Sequence, residues 1–261
     1  MVDAGAVARP WLTVGRGWAV YVGPVEPGRL HSHQAAQLAW CTEGTLRVEG
    51  AWGALESPGH VLSAGVPHRL VAAQPVRMVF LEPSAGRGAT WGRRVETAAA
   101  VTALQAEELE RELERWRQCP EPPAEHRPLV EVRHARWEAV VAWLEQSLDR
   151  PVPVEEAAAA AKLSSSRFMH WFAEVSGMPF RAYLRWLRLQ RAVRTLAGGS
   201  TLTEAAHMAG FADSAHLTRT FVATFGVRPA PLRAAQIICS DGVRPPIATL
   251  GLTLLEAATA A

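Results

Sequence analysis

The sequence is poor in cysteine, tyrosine and lysine: it has three, two and one of them among 261 residues. Cys41, Cys119 and Cys239 are far apart, odd in number and without paired spacing, which argues against a disulfide framework and against a cysteine zinc site. Lys162 is the single lysine, so every other cation is arginine. No run of eighteen uncharged apolar residues occurs, and MVDAGAVARPW lacks a basic stretch leading into an apolar core. The expectation is a soluble cytoplasmic protein with no membrane partner. An excess of one charge sign is missing too, with 27 Lys and Arg against 25 Asp and Glu, net +2. A polyanionic partner must therefore be met by a locally basic region rather than by the whole chain.

Apolar residues make up 49% of the chain, enough for one large core or two ordinary ones. Residues 10–95 are dense in glycine, proline and short β-rich pieces: WAVYVG at 18–23, QLAWCTEGTLRVEG at 37–50, HVLSAG at 60–65 and VRMVFLE at 76–82. Regular short strands between turn residues predict a sandwich or barrel. Within them TEGTLRVEG reads as a hairpin continuation, since Leu46 and Val48 alternate with Arg47 and Glu49.

From Glu96 the composition shifts to alanine, leucine, glutamate and arginine, with Leu109, Leu113 and Trp116 at helical spacing up to the break CPEPP at 119–123. That apolar stripe either packs on its own β domain or pairs with its twin in a homodimer. Only helical signals follow, beginning with WEAVVAWLEQSL at 137–148, where Val140, Val141, Leu144 and Leu148 share one face. The fold class is α+β in two domains: a β domain over 1–95, a helical connector over 96–135 and an all-α domain over 136–235. Residues 236–261 show no clear period and are given no role.

The helical domain contains an internal repeat. VEEAAAAAKLS at 154–164 aligns with LTEAAHMAGFA at 202–212 at an offset of 48, matching Glu156 with Glu204, Ala157 with Ala205, Ala161 with Ala209 and Leu163 with Phe211. One extra residue, Asp213, moves the offset to 49, which matches Phe168 with Leu217, Phe172 with Phe221 and Gly177 with Gly226. Each copy reads as a short helix, a tight turn, a Ser or Asp/Ser cap and a second helix ended by glycine, the pattern of a helix-turn-helix. The inward ridges are Phe168, Phe172 and Val175 in copy one and Leu217, Phe221 and Phe225 in copy two. Ser165, Ser166, Met169 and His170 face outward in the first copy, as do Ser214, Ala215, Thr218 and Arg219 in the second.

Charge supports a nucleic-acid reading of those outward flanks. Residues 160–233 hold ten Lys and Arg against three acids, Glu174, Glu204 and Asp213, a local balance of +7 in a nearly neutral chain. Phosphate attraction of this kind supplies most non-specific affinity. Between the copies, PFRAYLRWLRLQRAVRTLAGG at 179–199 predicts a rigid helix ended by Gly198 and Gly199. Such a rod would let two recognition helices enter successive major grooves about 34 Å apart.

Residues 137–233 resemble the DNA-binding domain of the AraC/XylS family of transcription regulators. The resemblance is most specific in GFADSAHLTRTFVATFGVRPAPLR, with Arg219, Phe221, Phe225 and Pro229 at the positions of the family signature. Copy one is less regular, since Met169 and His170 stand where polar or cationic base readers are more usual. The resemblance implies binding of double-stranded DNA, a small-molecule effector and contact with RNA polymerase.

RLHSHQAAQLAWCTEG at 29–44 and PGHVLSAGVPH at 58–68 look like the two motifs of a cupin β-barrel, a sensor domain found in many AraC-type regulators. His31, His33, Gln37 and Gly44 match the first motif, with glutamine where metal-binding cupins usually have glutamate; Gly65 and His68 match the second. Three imidazoles and a neutral amide would suit zinc, nickel, copper or iron. Hydrogen bonding of the histidines to an effector or to one another is the metal-free alternative. His60 is expected on the surface, and Trp18, Trp40 and Trp52 in the core.

The expectation is thus a ligand-responsive, sequence-specific DNA-binding regulator rather than an enzyme. Two other readings are a metal-dependent cupin oxygenase or isomerase with a structural helical part, and an architectural DNA binder with no sensing role. Two spaced helix-turn-helix units speak against the enzyme.

Overall fold

The computed structural model describes residues 10–15, 18–25, 30–33, 35–81, 99–118, 135–225 and 236–239. Its β part comprises β1 (Trp11–Gly15), β2 (Trp18–Gly23), β3 (Ala36–Trp40), β4 (Leu46–Gly50), β5 (Gly53–Ser57), β6 (Gly59–Leu62), β7 (His68–Val71), β8 (Val76–Leu81) and β9 (Ala99–Val101). The strands form two sheets rather than a closed barrel. The larger has the order β10-β1-β2-β8-β3-β6-β9, where β10 is Gln236–Cys239, and the smaller the order β5-β4-β7.

Both faces of the larger sheet are covered, so its strands are apolar at nearly every position instead of alternating with polar residues. Trp18 and Val20 of β2 and Leu38 and Trp40 of β3 point to one side. On that side lies α1 (Ala103–Gln118), which buries Ala106, Leu109 and Leu113 against them. The connector stripe therefore packs on its own sheet, and Leu109 and Leu113 are not free to pair with a twin. Glu110 fixes the helix in place: its carboxylate accepts from Trp40 Nε1 (3.0 Å) and from Arg77 Nε and Nη2 (2.9 and 3.0 Å). Ala19, Tyr21, Ala39, Met78 and Phe80 point to the other side, toward Leu46, Val48 and Leu70 of the smaller sheet. Trp18 and Trp40 are core residues, whereas Trp52 is only half-buried.

LRVEG does form a hairpin, β4 with β5, from Leu46 opposite Ser57 to Gly50 opposite Gly53, and β4 also pairs with β7, while β3 pairs with β6 and β8. The in–out alternation of Leu46 to Glu49 suits any antiparallel neighbour, so it does not specify which one. The expectation of a surface His60 is corrected. His60 is wholly buried. It shares the inner face of β6 with Leu62, and its Nε2 donates to the Leu46 carbonyl (2.9 Å), linking the two sheets.

The helical part runs α2 (Ala135–Gln146), α3 (Val154–Ala160), α4 (Ser165–Ser176), α5 (Phe180–Ala197), α6 (Leu202–Met208) and α7 (Ser214–Phe225). The first unit has its own aromatic core, in which Trp137, Phe168, Phe172, Phe180 and Tyr183 pack together. The second unit shares its core with the β domain: Leu217, Phe221, Phe225 and Trp186 join Phe80, Met78 and Tyr21 in one cluster. Gln190 of α5, itself buried, donates to the Gly15 carbonyl (2.7 Å). Residues 236–239, given no role from sequence, pair in parallel with β1 and extend the larger sheet.

Candidate nucleic-acid interface

The repeat persists in the backbone. Helices α3 and α6 start 48 residues apart, and α4 and α7 start 49 apart, as do their ends. At the turn the hydrogen bonds coincide: Ala161 N to Ala157 O and Ala209 N to Ala205 O, both 3.1 Å; Leu163 N to Ala158 O and Phe211 N to Ala206 O, both 2.9 Å. Lys162 and Gly210, paired by the same offset, both take the left-handed conformation, with φ of 55° and 74°. Caps correspond as well. The Ser164 hydroxyl accepts from Arg167 N (3.4 Å) and Asp213 Oδ1 from His216 N (2.6 Å). Gly177 closes α4 in the left-handed conformation, while Gly226 lies outside the described residues.

Gly210 has a reason of its own to be glycine. A Cβ there would stand 2.0 Å from the Leu148 carbonyl oxygen and 3.0 Å from Arg188 Nε. The second turn is thus pressed against the end of α2, and the two units touch where backbone meets backbone. Arg188 adds a tie by donating to the Arg150 carbonyl (2.8 Å).

The inward ridges are buried as expected: Phe168 and Phe172 completely, Leu217, Phe221 and Phe225 to within 4%, with Val175 half-buried. On the opposite flank of α4, Ser166, Met169 and His170 are exposed and Ser165 half-exposed. On α7, Ala215 and Arg219 are exposed, and Ser214 and Thr218 half-exposed. The Thr218 hydroxyl hydrogen is already committed to the Ser214 carbonyl (2.8 Å), so this side chain meets a partner as an acceptor or through its methyl. Exposed Arg167 joins the first flank, a cation that the ridge-and-flank reading passed over. The rod α5 has 18 residues, about 27 Å of helix. It keeps Arg181, Arg185 and Arg194 exposed and is capped by Gly198, after which Gly199 turns the chain at a φ of +89°.

The three motif histidines also come together. His31, His33 and His68 place ring nitrogens within 4.8 Å of one another. Residues 31–33 are not a strand; an isolated bridge between His31 and His68 brings the rings together. His31 N donates to His68 O (2.9 Å), His68 N to His31 O (2.8 Å) and Gly65 N to His33 O (2.7 Å). Two of the rings then have their tautomers set. His33 Nδ1 donates to the Ala35 carbonyl (2.7 Å) and His68 Nδ1 to the Val66 carbonyl (2.9 Å), which leaves a lone pair on each Nε2. His68 Nε2 is buried and has no hydrogen-bond partner among the described residues. Burial, reinforced by His31, pushes the His33 imidazole down to about 4; burial and the neighbouring His33 push His68 down to about 3. Both rings are therefore neutral near neutral pH. Gln37 is fully buried beside them, its Oε1 3.1 Å from His33 Nε2 and its amide donating to Met78 Sδ (3.2 Å). A ring that donates from Nδ1 has only a lone pair at Nε2, so this contact becomes a hydrogen bond when the amide is turned to present its N–H.

A family model described as a helix-turn-helix domain matches residues 157–235. Residues 157–235 are thus similar to the helix-turn-helix domains that this model describes. Curated relatives include the right origin-binding protein of Escherichia coli (strain K12), 30% identical over 115 residues, which are 44% of this chain and 40% of the relative. Another is the transcriptional regulator Rob of Salmonella typhimurium, 31% identical over 106 residues, 40% of this chain and 37% of that protein. The chain thus spans about 40% of the length of these relatives. Among solved structures, ToxT from Vibrio cholerae O395 aligns with a TM-score of 0.53 at 10% identity, covering 84% of this chain and 98% of ToxT. That likeness is one of fold, an antiparallel β-sheet domain joined to a helical domain.

Proposed function

We propose that the protein is a sequence-specific DNA-binding transcription regulator whose β domain, a cupin-like sensor, responds to a small molecule and biases the AraC-type domain. The observation that carries this is the pair of matched helix-turn-helix units, each burying its aromatic ridge and leaving the opposite flank of its second helix open. An enzyme has no use for that duplication. RNA polymerase and a second copy of the chain are partners in this reading, and the cytoplasm is its setting. No helix among the described residues is long and apolar enough to cross a membrane. In vitro selection of DNA fragments by the full chain tests the proposal. Two short half-sites about one helical turn apart are expected; failure to enrich any common sequence would overturn it.

The histidine cluster fits a transition metal on its donor chemistry. His33 and His68 each give the distal N–H to a backbone carbonyl, the second-sphere arrangement that orients metal-ligating imidazoles. We propose that His31, His33 and His68, with Gln37 alongside, hold zinc, nickel, copper or iron as part of the sensor. Elemental analysis of the purified chain should give about one metal per chain, reduced to background in His68→Ala. Equal metal content in both would defeat the assignment.

A further inference from the structure

The sensor and the second helix-turn-helix unit face each other across a cleft of about 480 Å³. One wall is the loop that carries the histidine cluster, Ser32, His33 and Ala35; the other is formed by α5 and α7. Two guanidinium groups, Arg185 and Arg219, line it together with His216, and no carboxylate does. Both arginines are exposed, and neither forms an ion pair among the described residues. Between them the lining is apolar or weakly polar: Met178, Ala182, Trp186 and Ala223. Trp186 is 3% exposed, and its buried Nε1 has no hydrogen-bond partner among the described residues. A concave site with apolar walls and two uncompensated cations fits an organic anion, with the apolar body on Trp186 and the charge on the guanidiniums.

Arg219 stands at the boundary of two flanks of α7. It shares one with Ser214, Ala215 and Thr218, the flank assigned to DNA, and the other with His216, Thr220, Ala223 and Thr224, which line the cleft. One guanidinium cannot make a bidentate pair on both sides at once. We infer that the cleft between the sensor loop and α7 is a site for a small organic anion that draws Arg219 away from DNA, so that ligand and DNA oppose each other. This rests on the DNA-binding reading for its second half only, because the anion site itself is built from the cleft. By linkage the opposition is reciprocal: DNA weakens the ligand by the same factor as the ligand weakens DNA.

The test uses the full chain and two probes of one shape, biphenyl-4-carboxylate and the neutral biphenyl-4-carboxamide, titrated by calorimetry without DNA. The carboxylate is expected to bind about tenfold more tightly than the amide, and Arg185→Gln to lose that preference. Arg111→Gln, which removes an exposed cation of α1 outside the cleft, should leave it unchanged. Equal affinity for the two probes, or a preference that survives Arg185→Gln, overturns the site. In a gel shift with selected DNA, saturating carboxylate should weaken binding about tenfold in the parent chain and not in Arg185→Gln; an unchanged shift in the parent overturns the competition. A chain that binds no DNA at all would instead refute the regulator reading, while the two probes would still decide the anion site.

Discussion

Phe80 of β8 and Phe225 of α7 meet edge to face, ring centroids 5.0 Å apart and planes at 80°. Phe225 also packs on Phe221 and on Trp186, so a single ring joins the inner face of the β domain to α7 and to the rod α5. The second unit is therefore docked on the β domain, whereas the first has its own core. Among the described residues the apolar core of the β domain thus continues into α7, while the aromatic cluster of α4 stays within the helical part.

Phe225→Ala should accordingly do more than open a cavity. Removing a buried phenylalanine costs about 3–5 kcal/mol, and here the loss falls on the contact between domains. Denaturant unfolding followed by tryptophan fluorescence should show the second unit and the β domain melting earlier, with the Trp137 core of the first unit retained. A single unshifted transition would show that the two domains do not depend on this ring.

Arg219→Ala should cost about 1–3 kcal/mol of specific DNA binding. The residue is exposed on the flank opposite the buried Leu217–Phe221–Phe225 ridge, so the fold should not suffer. Met169→Ala in the first unit, removing no charge, should cost less. Gel-shift titration of both variants on one selected operator decides it: equal losses would mean that Arg219 contributes nothing beyond contact area.

The two paired turn residues should respond in opposite ways. Gly210→Ala places a Cβ 2.0 Å from the Leu148 carbonyl at a φ of +74°, and backbone cannot yield as a side-chain tip does. The penalty combines a left-handed cost of about 1–2 kcal/mol with that clash. Lys162 already occupies the left-handed region, so Lys162→Gly relieves its strain while loosening the unfolded chain, and the net change should lie within about 1 kcal/mol. Thermal melts of the two variants should differ by several degrees; equal melting temperatures would contradict the packing described at Gly210.

Much of this was legible in the sequence because the duplicated unit is written in local terms. Small alanines at the helix crossing, the caps at Ser164 and Asp213 and the ridges at Phe168–Phe172 and Leu217–Phe221 all act within a few residues of themselves. What stayed hidden was long-range pairing. Leu46 and Val48 present the same alternation whether the neighbour is β3 or β5, and His60 looks like a surface polar residue until the Leu46 carbonyl arrives from the facing sheet. Phe225 reads as core of its own helix, and nothing local says that Phe80 lies beyond it. The pairing of residues 236–239 with β1 had no signal either, since four residues carry too short a period to read.

Acid should destabilise the protein through its buried histidines. His33, His60 and His68 are held below the ordinary histidine range, first of all by burial. The unfolded chain, with ordinary imidazoles near 6.5, binds protons that the folded chain refuses, so stability is complete above about pH 6.5 and falls as the pH drops toward the folded values of about 4 for His33 and about 3 for His68. Each refused proton costs about 1.4 kcal/mol per pH unit. For His33 and His68 together the loss between pH 6.5 and 5 is then on the order of 4 kcal/mol. Chelator-treated protein, in which protons are the only competitors for these rings, should melt steadily lower over that window. The double variant His33→Gln with His68→Gln should flatten the curve and leave a shallower slope from His60, whose N–H still serves the Leu46 carbonyl. A parent melting temperature that does not change between pH 6.5 and 5 would mean that these imidazoles take up protons in the folded state, and so do not sit in the closed, neutral cluster described above.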